Sequence, residues 1–181
     1  MLVVALNGSP REKGNTEILI ETALGAARVI GAETMRLDIA KLRIEGCREC
    51  DGCREKGHCV IEDDMAMVYD LIEKADSLIV ATPIFFSGPS SQLKKAIDRC
   101  QCIWVSGPIR KGRRAAIFAV GADPKANFRN TVSEVRSFLN TIGFRSDFEL
   151  LVPSVFKKGE INERKEALER AADIGRELAS D

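Results

Sequence analysis

Leu2-Val3-Val4-Ala5-Leu6-Asn7-Gly8-Ser9-Pro10-Arg11-Glu12-Lys13-Gly14-Asn15-Thr16 carries the decisive pattern. An unbroken apolar run of strand length ends in a polar loop with two glycines and a proline. From about Thr16 to Val29 the apolar residues then recur at helical spacing. A strand apolar at every position is buried on both faces, as in a parallel sheet, and a following helix is what a parallel crossover requires.

The pattern repeats along the chain. Strands are expected at Thr34–Asp38, Ser77–Thr82, Arg114–Val120 and Asp147–Val152. Helices are expected at Met65–Lys74, Ser90–Ile103, Asn127–Ile142 and about Ile161–Leu178. The runs Ser77–Ala81, after its opening serine, and Ala115–Val120 are continuously apolar. Five strands separated by helices predict one α/β domain over residues 1–181, a doubly wound parallel sheet with helices on both faces. A long polar, cysteine-rich loop interrupts it at about 41–63. The last helix, with Glu163, Lys165, Glu166, Glu169, Arg170 and Glu177, reads as one solvated face packed on the sheet. In such a fold ligands bind beyond the carboxyl ends of the strands, so the loops after the first, third and fourth strands carry the functional information.

The first loop has what a phosphate needs. Glycines such as Gly14 let backbone approach closely, Ser9, Asn15 and Thr16 offer donors, the first amides of the new helix point at the anion, and Arg11 adds charge. It matches neither G-x-G-x-x-G nor G-x-x-x-x-G-K-[ST], so it is neither a dinucleotide fingerprint nor a Walker A loop. An ordinary strand–helix turn capped by Asn15 or Thr16 is the alternative.

The third strand ends in Thr82-Pro83-Ile84-Phe85-Phe86-Ser87-Gly88-Pro89. Two adjacent aromatics in a strand-end loop need a cover. A flat isoalloxazine ring would supply one, with backbone groups of Pro83, Ile84, Phe85, Phe86, Ser87 and Gly88 along its edge. One of the two phenylalanines is expected to turn into the core or a subunit interface. After the fourth strand, Gly121 would let backbone approach the same ligand.

Cys47, Cys50, Cys53 and Cys59 follow the spacing C-x2-C-x2-C-x5-C. Three thiols so close together match ferredoxin-type ligand runs better than the separated pairs of zinc sites. They point to a [4Fe–4S] cluster, with Arg48, Arg54 and Lys56 offsetting its charge; zinc and metal-free thiols stay open. His58 reads as a surface residue, and Cys100 and Cys102 as small buried side chains. Trp104 and the segment Ile103–Ile109 have the character of interface material.

Lysine plus arginine balances aspartate plus glutamate at 27 each. This gives no electrostatic reason to expect nucleic acid or an anionic membrane as partner. No apolar run approaches the roughly 20 residues that span a bilayer, and the first residues lack a signal-peptide pattern. A cytoplasmic location is expected, where six cysteines point to metal or redox chemistry.

These features together resemble the iron–sulfur flavoproteins, a branch of the NADPH-dependent FMN reductase-like superfamily. The matching residues are Gly8-Ser9-Pro10-Arg11 with Gly14-Asn15-Thr16, the four cysteines, Asp63-Asp64-Met65, Pro83–Gly88 and Leu93–Arg99, across roughly residues 1–125. Phe85 departs from the pattern, since many relatives carry tyrosine there. The resemblance implies a flavodoxin-like sheet of order 2-1-3-4-5, FMN held by the first and third loops, and a [4Fe–4S] cluster on the cysteines. It also implies homodimers or homotetramers in which one subunit's cluster approaches a neighbour's flavin. Electrons would pass from a ferredoxin-like or NAD(P)H donor to oxygen, peroxide or quinones. Two other functions stay open: a cluster-free NAD(P)H-dependent FMN or quinone reductase, and a non-enzymatic metal-stabilised binding module or redox sensor.

Overall fold

The computed structural model describes residues 1–107 and 110–180. Strands β1 (Leu2–Asn7), β2 (Glu33–Asp38), β3 (Ser77–Pro83), β4 (Arg113–Val120) and β5 (Phe144–Val152) form one sheet in the order β2-β1-β3-β4-β5. Every pairing is parallel. This is the expected doubly wound topology, with its order reversing between β1 and β3.

Successive side chains along each strand face opposite ways, and along the central strands β1, β3 and β4 both sides are dry. Val3 and Ala5 of β1, with Ile79 and Ala81 of β3, pack under α1 (Asn15–Val29) and α7 (Lys165–Leu178). Val4 and Leu6, with Leu78 and Val80, pack under α3 (Met65–Lys74), α4 (Ser91–Arg99) and α6 (Arg129–Thr141). The remaining helices are α2 (Gly52–Lys56), inside the cysteine loop, and α5 (Gln101–Ser106). No helix among the described residues is long and apolar enough to cross a membrane.

Three departures from the sequence expectation have local causes. The helix expected over Ser90–Ile103 is two helices, broken at Cys100. An unbroken helix would pair the Arg99 carbonyl with the Ile103 amide; instead Ile103 bonds Cys100, and the Tyr69 hydroxyl donates to Arg99 O at 2.7 Å. The last helix begins at Lys165, after a separate 3₁₀ turn over Glu160–Glu163, because the buried Ile161 ties back to α1 by donating its amide to Asn15 Oδ1 at 3.2 Å. Strand β5 starts at Phe144, earlier than its apolar run. It is an edge strand, where Arg145 faces solvent and pairs with Asp147.

A buried arginine joins the layers. Arg113 donates to the carbonyls of Ile72 (2.7 Å), in the last turn of α3, and Ala75 (2.9 Å), its C-cap, and to Ile142 O (3.0 Å) after α6. Its guanidinium lies 3.8 Å from the Phe144 ring centroid. Helix-terminal carbonyls thus stand in for a carboxylate, and burial brings its pKa down to about 10.

Helices α1 and α7 come into close contact at Gly175, where an added Cβ would sit 2.0 Å from Ala23 O. Gly175→Ala should therefore force the helices apart and destabilise the fold by about 1–3 kcal/mol, despite alanine's better helix propensity. Urea unfolding monitored by circular dichroism measures this; equal midpoints would contradict it.

Candidate functional site

At the carboxyl ends of β1, β3, β4 and β5 lies a cavity of about 230 Å³. Of the residues expected to hold a cofactor, its wall brings together Ser9, Arg11, Asn15, Thr16, Pro83, Ile84 and Phe85. Gly14, Phe86, Ser87, Gly88 and Gly121 stand outside that wall.

The first loop presents an open anion seat. Gly14 occupies the N-cap position of α1 without a side-chain cap, so neither Asn15 nor Thr16 caps the helix. The first-turn amides have no partner within the helix. The Thr16 Oγ1 is buried and has no hydrogen-bond partner. Ser9, also buried, accepts the Arg11 amide on its hydroxyl oxygen at 3.2 Å, which leaves its own proton to give. Asn15 plays another part: its side chain donates to Lys157 O at 2.9 Å and accepts from Ile161, so only its backbone faces a ligand. Arg11 donates to Phe156 O at 2.9 Å. Val155 and Phe156, in the loop after β5, complete the wall. Sequence reading missed that loop because its wall residues Val155 and Phe156 are apolar and the last strand was not among those whose loops were read for a ligand.

The third loop is rigid. Ile84 donates to Val120 O at 2.8 Å, and Ser90 donates its amide to Thr82 Oγ1 at 3.0 Å. Phe85 and Gly88 exchange backbone bonds at 2.9 and 3.0 Å around Phe86 (φ 50) and Ser87 (φ 64). Two consecutive non-glycine residues in the left-handed region make a strained hairpin-type turn. Neither phenylalanine enters the core. Phe85 is 48% exposed along the cavity, and Phe86 is fully exposed because the turn throws it outward. Gly121 owes its small size to packing: a Cβ there would lie 2.5 Å from the Ala126 Cβ.

The cysteine loop forms a second site, whose walls share no residue with the first. Cys47 and Cys50 are exposed, Cys53 and Cys59 half-buried, and all four line one cavity of about 80 Å³ together with Arg99 and Cys102. Among the described residues, no three His, Cys, Asp or Glu side chains form a group that could hold a metal ion. His58 is exposed, and Cys100 and Cys102 are buried. Arg48 and Arg54, expected to offset a cluster's charge, are paired with Glu45 (2.5 Å) and Asp51 (2.8 Å). The cation that faces the thiols from the protein interior is Arg99, which the sequence shows as a helix residue and as part of the matching Leu93–Arg99 stretch, without a link to the cysteines. Trp104, nearby, is exposed; residues 108 and 109 of the apolar segment around it lie outside the described residues.

Arg99 forks onto Asp63 at 2.6 and 3.1 Å and donates to the carbonyls of Glu45 (3.0 Å) and Ile61 (3.2 Å). Asp63 also accepts the Glu45 amide at 2.9 Å. The pair thus closes the loop at its base, from both sides of the four cysteines.

Comparison with known proteins agrees with this layout. The family described as NADPH-dependent FMN reductase matches residues 1–146. The chain is 33% identical over 138 residues to an iron–sulfur flavoprotein of Methanocaldococcus jannaschii, covering 76% of this chain and 71% of that one. It is 30% identical over 143 residues to an iron–sulfur flavoprotein of Methanosarcina thermophila, covering 79% and 75%. Among solved structures, an NAD(P)H:quinone oxidoreductase from Methanothermobacter marburgensis superposes with a TM-score of 0.75 at 19% identity, over 100% of this chain and 98% of that one. At that identity the likeness is one of fold.

The clamp gives a pH dependence. Burial opposes ionisation of Asp63, but the Arg99 hydrogen bond and two backbone amides outweigh it and hold its pKa below the usual 3.8. A depressed carboxyl contributes stability that is complete above its unfolded pKa and is lost as pH falls through the folded one. Below about pH 4 the wild type should therefore lose stability more steeply than Asp63→Asn, which is weaker at pH 7. Chemical denaturation of both proteins between pH 7 and 2.5 tests this; parallel curves would refute it.

Proposed function

The chain belongs to the NADPH-dependent FMN reductase family, in its iron–sulfur flavoprotein branch, and is a flavin-dependent oxidoreductase; we propose that it also carries a [4Fe–4S] cluster on Cys47, Cys50, Cys53 and Cys59. It passes electrons from a ferredoxin-like or NAD(P)H donor to small acceptors such as oxygen, peroxide or a quinone. The observation that carries the cluster is four thiols lining one cavity, the donor set iron–sulfur clusters take. The relatives named as iron–sulfur flavoproteins support it. FMN fits the strand-end cavity on the buried, unpartnered Thr16 hydroxyl and the uncapped start of α1.

FMN takes electrons singly or in pairs as hydride, and a cluster takes them one at a time. The chain's own groups bind and orient. Ser9, Thr16 and the first amides of α1 would hold the phosphate, and Arg11 would add charge from the rim. The Pro83–Gly88 loop offers backbone groups to the ring edge, and its internal bonds keep that edge fixed. The separate walls of the two sites and the exposure of Cys47 and Cys50 favour a homodimer or homotetramer in which one subunit's cluster faces its partner's flavin.

A cluster-free NAD(P)H-dependent FMN or quinone reductase is the second reading. It is favoured by the absence, among the described residues, of any group of three such side chains that could hold a metal. Anaerobic purification with iron and labile-sulfide analysis separates the two. The first reading expects both elements in [4Fe–4S] proportion, lost in Cys50→Ala with FMN content unchanged; the second expects FMN alone.

Thr16→Val removes the buried hydroxyl while keeping the side chain's shape. It should weaken FMN binding about tenfold, the loss of one hydrogen bond to a charged group, read by fluorescence titration of the flavin-free protein. Unchanged affinity would remove Thr16 from the phosphate seat.

A further inference from the structure

Arg99 is almost wholly buried, at 1% exposure. An arginine has five N–H donors. Four hydrogen bonds to Asp63, Glu45 and Ile61 engage both terminal nitrogens. The Nε is buried and has no hydrogen-bond partner. The same side chain walls the cavity of the four thiols. An unmet donor on a buried cation is costly, and it calls for an anionic acceptor. The cavity's two carboxylates do not serve: Asp51 and Glu49 are exposed, and Asp51 is committed to Arg54. The remaining acceptors of suitable charge are the cysteine sulfurs, with the half-buried Cys59 leading into the strand of loop that Arg99 holds at Ile61.

We propose that Arg99 is a positioning residue of the iron–sulfur site: its terminal nitrogens bolt the base of the cysteine loop, and its Nε–H donates to the sulfur shell of the cluster and raises the cluster's reduction potential. The inference rests on the cluster reading above. Hydrogen bonds to cluster sulfurs favour the more negatively charged, reduced form, and so set its potential. The break at Cys100 serves this geometry, because it ends α4 where Arg99 must reach sideways into the loop. Lysine keeps the charge but lacks the planar fork, and cannot satisfy Asp63, two carbonyls and a sulfur together.

The test compares wild type, Arg99→Lys and Arg99→Gln as full-length proteins, each with FMN, iron and labile sulfide measured after anaerobic reconstitution. With loaded proteins, the cluster's midpoint potential from a spectroscopic redox titration should move to more negative values in Arg99→Lys and further in Arg99→Gln. Equal potentials in loaded wild type and Arg99→Lys would overturn the inference and leave the cluster standing. A wild-type chain that takes up FMN but neither iron nor sulfide would overturn the cluster reading itself, and this inference with it. If the variants bind FMN but no cluster, amide exchange in the iron-free proteins decides. Exchange about tenfold faster than wild type across residues 47–59 supports the bolt, and unchanged exchange refutes it.

Discussion

A parallel strand cannot be followed directly by its neighbour, because the chain must first return to the starting end. All five strands here obey that constraint, and each return is made by a helix laid on one face or the other. Both faces of the central strands are consequently dry, and their polar chemistry is confined to their ends. At the carboxyl ends, the point where the order reverses between β1 and β3 leaves a crevice that no helix fills. The cavity bounded by Ser9, Thr16, Ile84 and Phe85 lies there, and its location follows from the hydrogen-bond ladder before any loop residue is chosen.

The features legible in the sequence were those governed by local pattern. Continuous apolar runs marked β1, β3 and β4, helical spacing marked α1 and α3, and the polar loop after β1 named the residues of the anion seat. What escaped notice depended on partners distant in the chain. The helix break at Cys100 depends on Tyr69. The structural use of Asn15 depends on Lys157 and Ile161. Arg99 looked like any cationic residue within a helix, and only the return of Glu45 and Ile61 to its guanidinium gives it another role. The β5 start was misplaced because an edge strand needs only half its residues apolar.

The two sites are built on opposite strategies. The strand-end cavity leaves polar groups unsatisfied: a buried hydroxyl, a helix start without a cap, and a turn whose Phe86 and Ser87 sit in a backbone region that suits glycine. Such groups hold stability in reserve for a ligand to release. The cysteine loop instead ties its base with four Arg99 hydrogen bonds, the Nε donor alone left unmet, and leaves its tip open, with Cys47 and Cys50 at the surface. A rigid seat suits a cofactor bound from solution, and a tethered loop suits a group assembled in place.

The bolt at the base of that loop has an evolutionary consequence. Because Arg99 gathers Glu45 and Ile61 to one point, the chain between them is a closed excursion whose ends do not depend on its contents. The entropy of closing such an excursion grows only slowly with its length. The segment is therefore a cassette: residues can be inserted, deleted or exchanged within it without disturbing the sheet, so the chemistry of the loop is free to change over a lineage while the fold beneath stays the same.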